Sequence, residues 1–211
     1  MIKPDKYAHL SEEERNQRHN QKMAKKKVAR DKILATKTIE KGLLIVHTGK
    51  GKGKSTAAFG MVFRMLGHGE NVAIVQFVKG KWETGERVIL DNFKDQAHVF
   101  TMGQGFTWET QDRQRDLEAA RAAWEKAKEC IQDPQYKMVL LDELNIVLRY
   151  DSLPLEEIIE TLTNKPEDTH VIITGRNAKD EIIEIADLVT EMTMIKHPFR
   201  SGVKAQSGIE F

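Results

Sequence analysis

Beyond residue 40, apolar residues gather into short runs separated by polar stretches. Leu43-Leu44-Ile45-Val46, Val72-Ala73-Ile74-Val75, Met138-Val139-Leu140-Leu141 and Val171-Ile172-Ile173 are nearly uninterrupted and too short for helices. Runs of this kind read as strands buried on both faces, which is the signature of a parallel sheet. The pattern predicts strands at 43–47, 72–77, 97–101, 138–142, 170–174 and 188–194, with helices at 55–66, 109–132, 143–149, 154–164 and 178–186. Strands alternating with helices imply an α/β domain, a mostly parallel sheet flanked by helices. Gly67-His68-Gly69 stops one helix, and Asp133-Pro134 ends the long one.

Residues 1–40 follow a different pattern, with eleven Lys/Arg against six Asp/Glu and few large apolar side chains. Ser11-Glu12-Glu13-Glu14 predicts a helix start, with serine as the cap and glutamate three positions on. Met23, Ala24, Val28 and Ala35 make only a thin apolar stripe. Two readings stand for this basic arm: a solvated or partly disordered tail, or a helix that folds against a partner subunit or covers a charged ligand. The domain proper is expected at 41–211.

Composition narrows the function classes. A formal net charge of +1 over 211 residues argues against a nucleic-acid binder, and no aromatics interleave with the basic residues of the arm. A lone cysteine, Cys130, forbids an intrachain disulfide and reads as a packed thiol in a reducing compartment. No apolar stretch reaches membrane-spanning length and no signal-peptide core opens the chain, so a cytoplasmic protein is expected.

Chemistry concentrates after the first strand, in Thr48-Gly49-Lys50-Gly51-Lys52-Gly53-Lys54-Ser55-Thr56. A strand, a glycine-rich turn and a helix start together form the context of a phosphate loop. Its glycines let backbone N–H groups turn toward phosphate, and the helix N-terminus adds free donors. Lys54 is expected to reach the outer phosphates and Ser55 to place a hydroxyl on Mg2+. The loop is a variant, because Thr48 stands at the position where the G-x-x-x-x-G-K-[ST] pattern has its first glycine.

Other polar groups fall at the carboxyl ends of predicted strands, where parallel sheets bind ligands. Asp142 and Glu143 end the run at 138–142, the usual place for acids that attend a metal in phosphate-loop proteins. A pair of solvated acids at a strand end is the competing reading, and the upstream loop tips the balance against it. Gln76-Phe77 and Lys79-Gly80 follow one strand and Thr174-Gly175-Arg176-Asn177 another. Phe106 and Trp108 sit in a loop with Gly103 and Gly105. They either anchor that loop or present flat apolar faces to a large planar ligand. The C-terminal tail from Gly202 to Phe211 has too few apolar residues for a helix of its own and is expected to pack extended or to join the crevice rim.

The chain resembles the ATP:cob(I)alamin (corrinoid) adenosyltransferases of the phosphate-loop class. The resemblance rests on the loop through Gly60, Gln76-Phe77 with Lys79-Gly80, Gly105-Phe-Thr-Trp-Glu-Thr110, Leu141-Asp-Glu-Leu144, Ile173-Thr-Gly-Arg176, Ala186-Asp-Leu-Val-Thr-Glu-Met192, Lys196-His197, Gly202-Val-Lys-Ala-Gln206 and Gly208-Ile-Glu-Phe211. Lys50 departs from the family's usual Asn, and Ser55 from its common Thr. The resemblance implies a P-loop NTPase-like (RecA-like) fold and transfer of the 5'-deoxyadenosyl group of ATP to Co(I) of a reduced corrinoid, releasing triphosphate. It implies an ATP site formed by Thr48, Gly49, Lys50, Gly51, Lys52, Gly53, Lys54, Ser55, Thr56 and Arg176. It also implies Mg2+, with Mn2+ as the alternative ion, at Ser55, Asp142 and Glu143. Phe106 and Trp108 are implied to displace the corrinoid's lower axial ligand. Catalysis would then rest on Lys54, Phe106 and Trp108. A homodimer, with residues 1–40 as a lid on the partner's site, and a reduced flavodoxin-like flavoprotein as electron donor complete the picture, with no nucleic acid or membrane involved. Two other readings of the loop stay open: a conventional ATPase or kinase using Glu143 to activate water, and a nucleotide-responsive binding module.

Overall fold

The computed structural model describes residues 10–78, 84–102 and 113–210. The chain divides after Glu40 into two units. The first is helix α1, Glu12–Leu34, opened by the expected reciprocal cap: the Ser11 hydroxyl accepts from the Glu14 N–H and the Glu14 carboxylate accepts from the Ser11 N–H. None of its 23 residues is buried. That agrees with the thin apolar stripe and leaves the helix with little tertiary stabilisation of its own.

The second unit is an α/β layer structure. Its strands are β1 (Leu44–Thr48), β2 (Val72–Gln76), β3 (Ala97–Thr101), β4 (Met138–Asp142), β5 (His170–Thr174) and β6 (Leu188–Glu191). They form one sheet in the order β3-β2-β4-β5-β1-β6. Every described pairing is parallel, so the expected mostly parallel sheet is wholly parallel among the described residues. The helices are α2 (Lys54–Gly67), α3 (Gly85–Leu90), α4 (Arg113–Gln132), α5 (Leu144–Arg149), α6 (Leu155–Thr163) and α7 (Asp180–Ile185).

Successive strand residues point to opposite faces, and each face has its own core. Leu44, Val46, Val139, Leu141, Val171 and Ile173 pack with Trp124, Leu144, Leu148, Ile158, Leu162 and Ile182 from α4 to α7. Ile45, Met138, Leu140 and Ile172 pack with Ala58, Phe59, Val62 and Leu66 of α2 on the other face. In α4 the buried residues Ala120, Ala123, Trp124, Ala127, Cys130 and Ile131 recur at helical spacing. Cys130 is a packed thiol whose burial pushes its pKa up to about 11, which keeps it unreactive. The Trp124 Nε1–H donates to Glu157 of α6 at 3.0 Å, and Arg121 and Lys128 converge on the same carboxylate.

Several elements depart from the expected pattern, the 3-10 turn Pro198–Ser201 among them. Helix α3 and the 3-10 turn Asp91–Phe93 were not signalled, because Leu90 is the only buried residue of the pair and one apolar position has no period. Strand β6 stops at Glu191 rather than 194, since the chain turns there to meet the phosphate loop. The edge strand β6 is exposed along its length.

Candidate functional site

The carboxyl ends of β1, β4 and β5 are neighbours, with β5 lying between the strand that leads into the glycine-rich loop and the strand that ends in acid. This adjacency brings together residues that the chain separates by 87 positions: the Ser55 hydroxyl donates to Asp142 Oδ1 at 2.9 Å. Thr174, at the end of β5, donates to the same oxygen at 2.8 Å. The Thr174 oxygen in turn accepts from the Glu143 N–H at 2.9 Å. A single threonine thus holds both acids in place.

Burial raises the pKa of Asp142, opposed by hydrogen bonds from Thr174, Ser55 and Gln76. Glu143 is pushed up to about 7, first by burial and then by the neighbouring Asp142 charge, while Lys54 and Arg176 pull the other way. Glu143 adopts a left-handed backbone (φ 62°), an uncommon conformation for a residue with a side chain. Its Oε2 is buried and has no hydrogen-bond partner among the described residues. An orphaned carboxylate oxygen beside a second carboxylate and a hydroxyl suits a hard cation. No group of three or more His, Cys, Asp or Glu that could hold a metal ion occurs among the described residues. The donor set therefore fits Mg2+, which takes few protein ligands and completes its shell with phosphate and water, and fits poorly a metal that needs a full protein cage.

The loop itself is shaped by more than phosphate. Gly49 and Gly53 both take φ +100°. A Cβ on Gly49 would lie 2.4 Å from the Met192 carbonyl oxygen, and one on Gly51 would lie 2.7 Å from the carbonyl oxygens of Met192 and Thr193. The Gly51 N–H donates to Met192 O at 2.6 Å, and the Met192 N–H to Thr48 O at 2.9 Å. The reading of the glycines as freeing N–H groups for phosphate is therefore incomplete. Gly49 and Gly51 are required by the chain that leaves β6, and the Gly51 N–H is already engaged there. Gly53 meets nothing closer than the Met192 sulfur at 3.5 Å.

Lys54 is 7% exposed and folds its ammonium back onto the Gly51 carbonyl. Burial lowers its pKa, and Glu143 opposes that shift. Lys50, Lys52 and Thr56 are exposed, and Lys52 pairs with Glu210. The expected rim position of the C-terminal tail is thus realised through one carboxylate on the loop. The Thr48 hydroxyl oxygen accepts from the Ala178 N–H at 3.0 Å, and His47 Nδ1 lies 3.2 Å from the Lys54 carbonyl. Arg176 is exposed, on the turn after β5, and its charge acts on both Lys54 and Glu143.

The structure brings together Lys54, Ser55, Asp142, Glu143 and Arg176. Phe106 and Trp108 lie outside the described residues, as do Lys79 and Gly80. Thr174 was read among the strand-end polar groups without a role of its own, and the contributions of Asn145 and the Met192 backbone were missed. Thr174 carried a signal in being a polar residue that ends an apolar strand. Asn145 and Met192 carried none.

The family profile described as ATP:corrinoid adenosyltransferase BtuR/CobO/CobP matches residues 40–211, and that of the Cob(I)alamin adenosyltransferase N terminal matches residues 11–34. A corrinoid adenosyltransferase of Sinorhizobium sp is 62% identical over 196 residues, covering 92% of each chain. One from Pseudomonas aeruginosa is 48% identical over 198 residues, covering 94% of this chain and 98% of its own. One from Escherichia coli (strain K12) is 46% identical over 196 residues, covering 93% and 99%.

Proposed function

The chain belongs to the ATP:corrinoid adenosyltransferase family, and on that premise we propose how its own residues serve the transfer of the 5'-deoxyadenosyl group from ATP to a reduced corrinoid. The Co(I) electron pair forms a bond to C5', the C5'–O bond breaks, and its electrons leave on the triphosphate. The observation that carries this reading is the meeting of Lys54, Ser55 and Asp142 at one end of the sheet, within a family match that spans the domain.

The nucleophile is the corrinoid, so no group on the protein has to remove a proton. The work of the chain is to hold the leaving group. Lys54 exchanges the Gly51 carbonyl for phosphate oxygen, a favourable trade for a buried ammonium. Lys50, Lys52 and Arg176 add cations, and the backbone of residues 48–56 adds donors at the start of α2. Ser55, Asp142 and Glu143 would hold Mg2+, or Mn2+ in its place. The ion when bound neutralises charge on the phosphate oxygens. Thr174 keeps both acids oriented.

Phe106 and Trp108 supply the corrinoid side of the site in this reading, displacing the lower axial ligand so that Co(II) is more easily reduced. A flavodoxin-like flavoprotein would bring the electron. The arm supports a homodimer reading: a helix with no buried residue is marginal alone and gains stability by closing over a partner's site. No helix among the described residues is long and apolar enough to cross a membrane, and a cytoplasmic location accords with the lone buried cysteine.

Product identity tests the reaction. With ATP, Mg2+ and chemically reduced corrinoid, intact triphosphate and an adenosylated corrinoid are expected; ADP with orthophosphate sinks the proposal and favours a conventional ATPase. The aromatic pair has its own test. Phe106→Ala with Trp108→Ala should cripple turnover from Co(II) corrinoid and spare turnover from prereduced Co(I). Equal losses in both assays would reduce the pair to loop anchors.

A further inference from the structure

Asn145, the second residue of α5, is fully buried but only half satisfied. Its Nδ2 donates to the Gly175 carbonyl at 3.2 Å, while its Oδ1 has no partner among the described residues. The opposite amide orientation would set two acceptors face to face, which fixes the donor as Nδ2. Its neighbours Leu144, Val147 and Leu148 belong to the apolar core, so an aliphatic residue would serve packing alone without an orphaned carbonyl. The asparagine is explained by what it holds.

What it holds is one end of the arch that carries Arg176. Gly175 takes φ +125° and Asn177 φ +56°, so the backbone is left-handed on both sides of the arginine. Such conformations persist only where the surroundings enforce them. A Cβ on Gly175 would lie 2.8 Å from the Asn145 Cβ and 3.0 Å from Glu143 Oε2, so the turn is pressed against both residues. The far end is tied by Thr48, whose hydroxyl oxygen accepts from the Ala178 N–H at 3.0 Å. Between these ties Arg176 is exposed on the side of Lys54 and Glu143, whose protonation its charge perturbs. The clamp also accounts for a threonine where the phosphate-loop pattern has glycine: position 48 needs a side-chain acceptor.

We propose that Asn145 is a positioning residue for ATP binding, which together with Thr48 clamps the 175–178 arch so that Arg176 meets the triphosphate. The inference rests on the reading of Arg176 as an ATP ligand given above.

The test is MgATP affinity by calorimetry, without corrinoid, on the full chain. Asn145→Thr and Asn145→Val share a shape and differ by one hydroxyl donor, and melting curves establish that both are folded. Asn145→Val is expected to weaken ATP binding about five- to tenfold, the equivalent of one hydrogen bond, with Asn145→Thr within about twofold of the parent. In an Arg176→Ala background, Asn145→Val should cost almost nothing further, since the two residues act as one unit. Equal affinities for the Thr and Val variants, or full additivity with Arg176→Ala, overturn the clamp. Parental affinity in Arg176→Ala alone removes the reading of Arg176 and the inference with it, a result distinct from a failed clamp. Adenosyl transfer is judged separately, by product.

Discussion

The Ser55 hydroxyl donates to Asp142 Oδ1 at 2.9 Å, tying the first turn of α2 to the end of β4 across the intervening strand. Thr174 of that intervening strand donates to the same oxygen. Removing the Thr174 hydroxyl should therefore loosen the acids without touching the phosphate loop. Thr174→Val is expected to raise the Mg2+ concentration for half-maximal activity about 10- to 100-fold, the usual cost of losing a group that orients metal ligands. Magnesium titrations of the adenosylation rate at saturating ATP measure it, and an unchanged midpoint refutes the role.

Glu143 gives the nucleotide-free protein a pH-dependent stability. Burial and Asp142 raise its pKa from 4.5 to about 7, and burial raises Asp142 as well. Between those values the folded state keeps a proton that the unfolded chain has released, so stability falls as pH rises through this window and levels off above it. Glu143→Gln cannot ionise. It should raise the melting temperature at pH 8 by roughly 5 °C, a shift worth one to three kcal/mol for a chain of this size, and change it little at pH 4. The same variant should lose Mg2+-dependent activity. An equal thermal effect at both pH values would mean that Glu143 does not titrate in this range.

Two glycine replacements should have opposite signs. Gly49 combines φ +100° with a Cβ position 2.4 Å from Met192 O, whereas a Cβ on Gly60, inside α2, meets nothing within 4 Å. Gly49→Ala is expected to destabilise by about 1–3 kcal/mol through backbone strain and clash. Gly60→Ala should stabilise by roughly 0.5–1 kcal/mol, as alanine does within a helix. Denaturant unfolding of both variants decides this, and a tolerated Gly49→Ala would show that the contact with Met192 yields easily.

The C-terminal tail holds a phosphate-loop cation through the Lys52–Glu210 ion pair. Triphosphate must compete with that carboxylate. Glu210→Gln should tighten MgATP binding by up to about fivefold at low ionic strength, in the range of a partly exposed ion pair. The gain should shrink as salt rises. Weaker ATP binding in the variant would instead make Glu210 part of the nucleotide site.

The elements were legible wherever burial left a continuous run or a helical period in the sequence. The runs at Leu43–Val46 and Met138–Leu141 became strands buried on both faces, and the α4 stripe through Ala120, Trp124 and Ile131 became its core-facing side. Helix α3 escaped because one buried leucine makes no pattern. At the site, Lys54, Ser55, Asp142 and Glu143 were legible because their positions at strand ends and a helix start follow from local order. Asn145 was not, for an asparagine early in a helix looks like any polar surface residue until the packing around it is known.

The chain order of apolar runs, glycines and charges determined by itself the α/β class, the phosphate loop and the family, because strand burial and loop flexibility are properties of neighbours in sequence. Tertiary structure alone decided that Gly49 and Gly51 make room for the Met192 and Thr193 backbone, that Thr48 reaches Ala178, and that Asn145 reaches Gly175. Those contacts join segments with no local relation to one another. Their geometry depends on the lateral order of β4, β5, β1 and β6, and chain periodicity carries no information about which strands lie side by side.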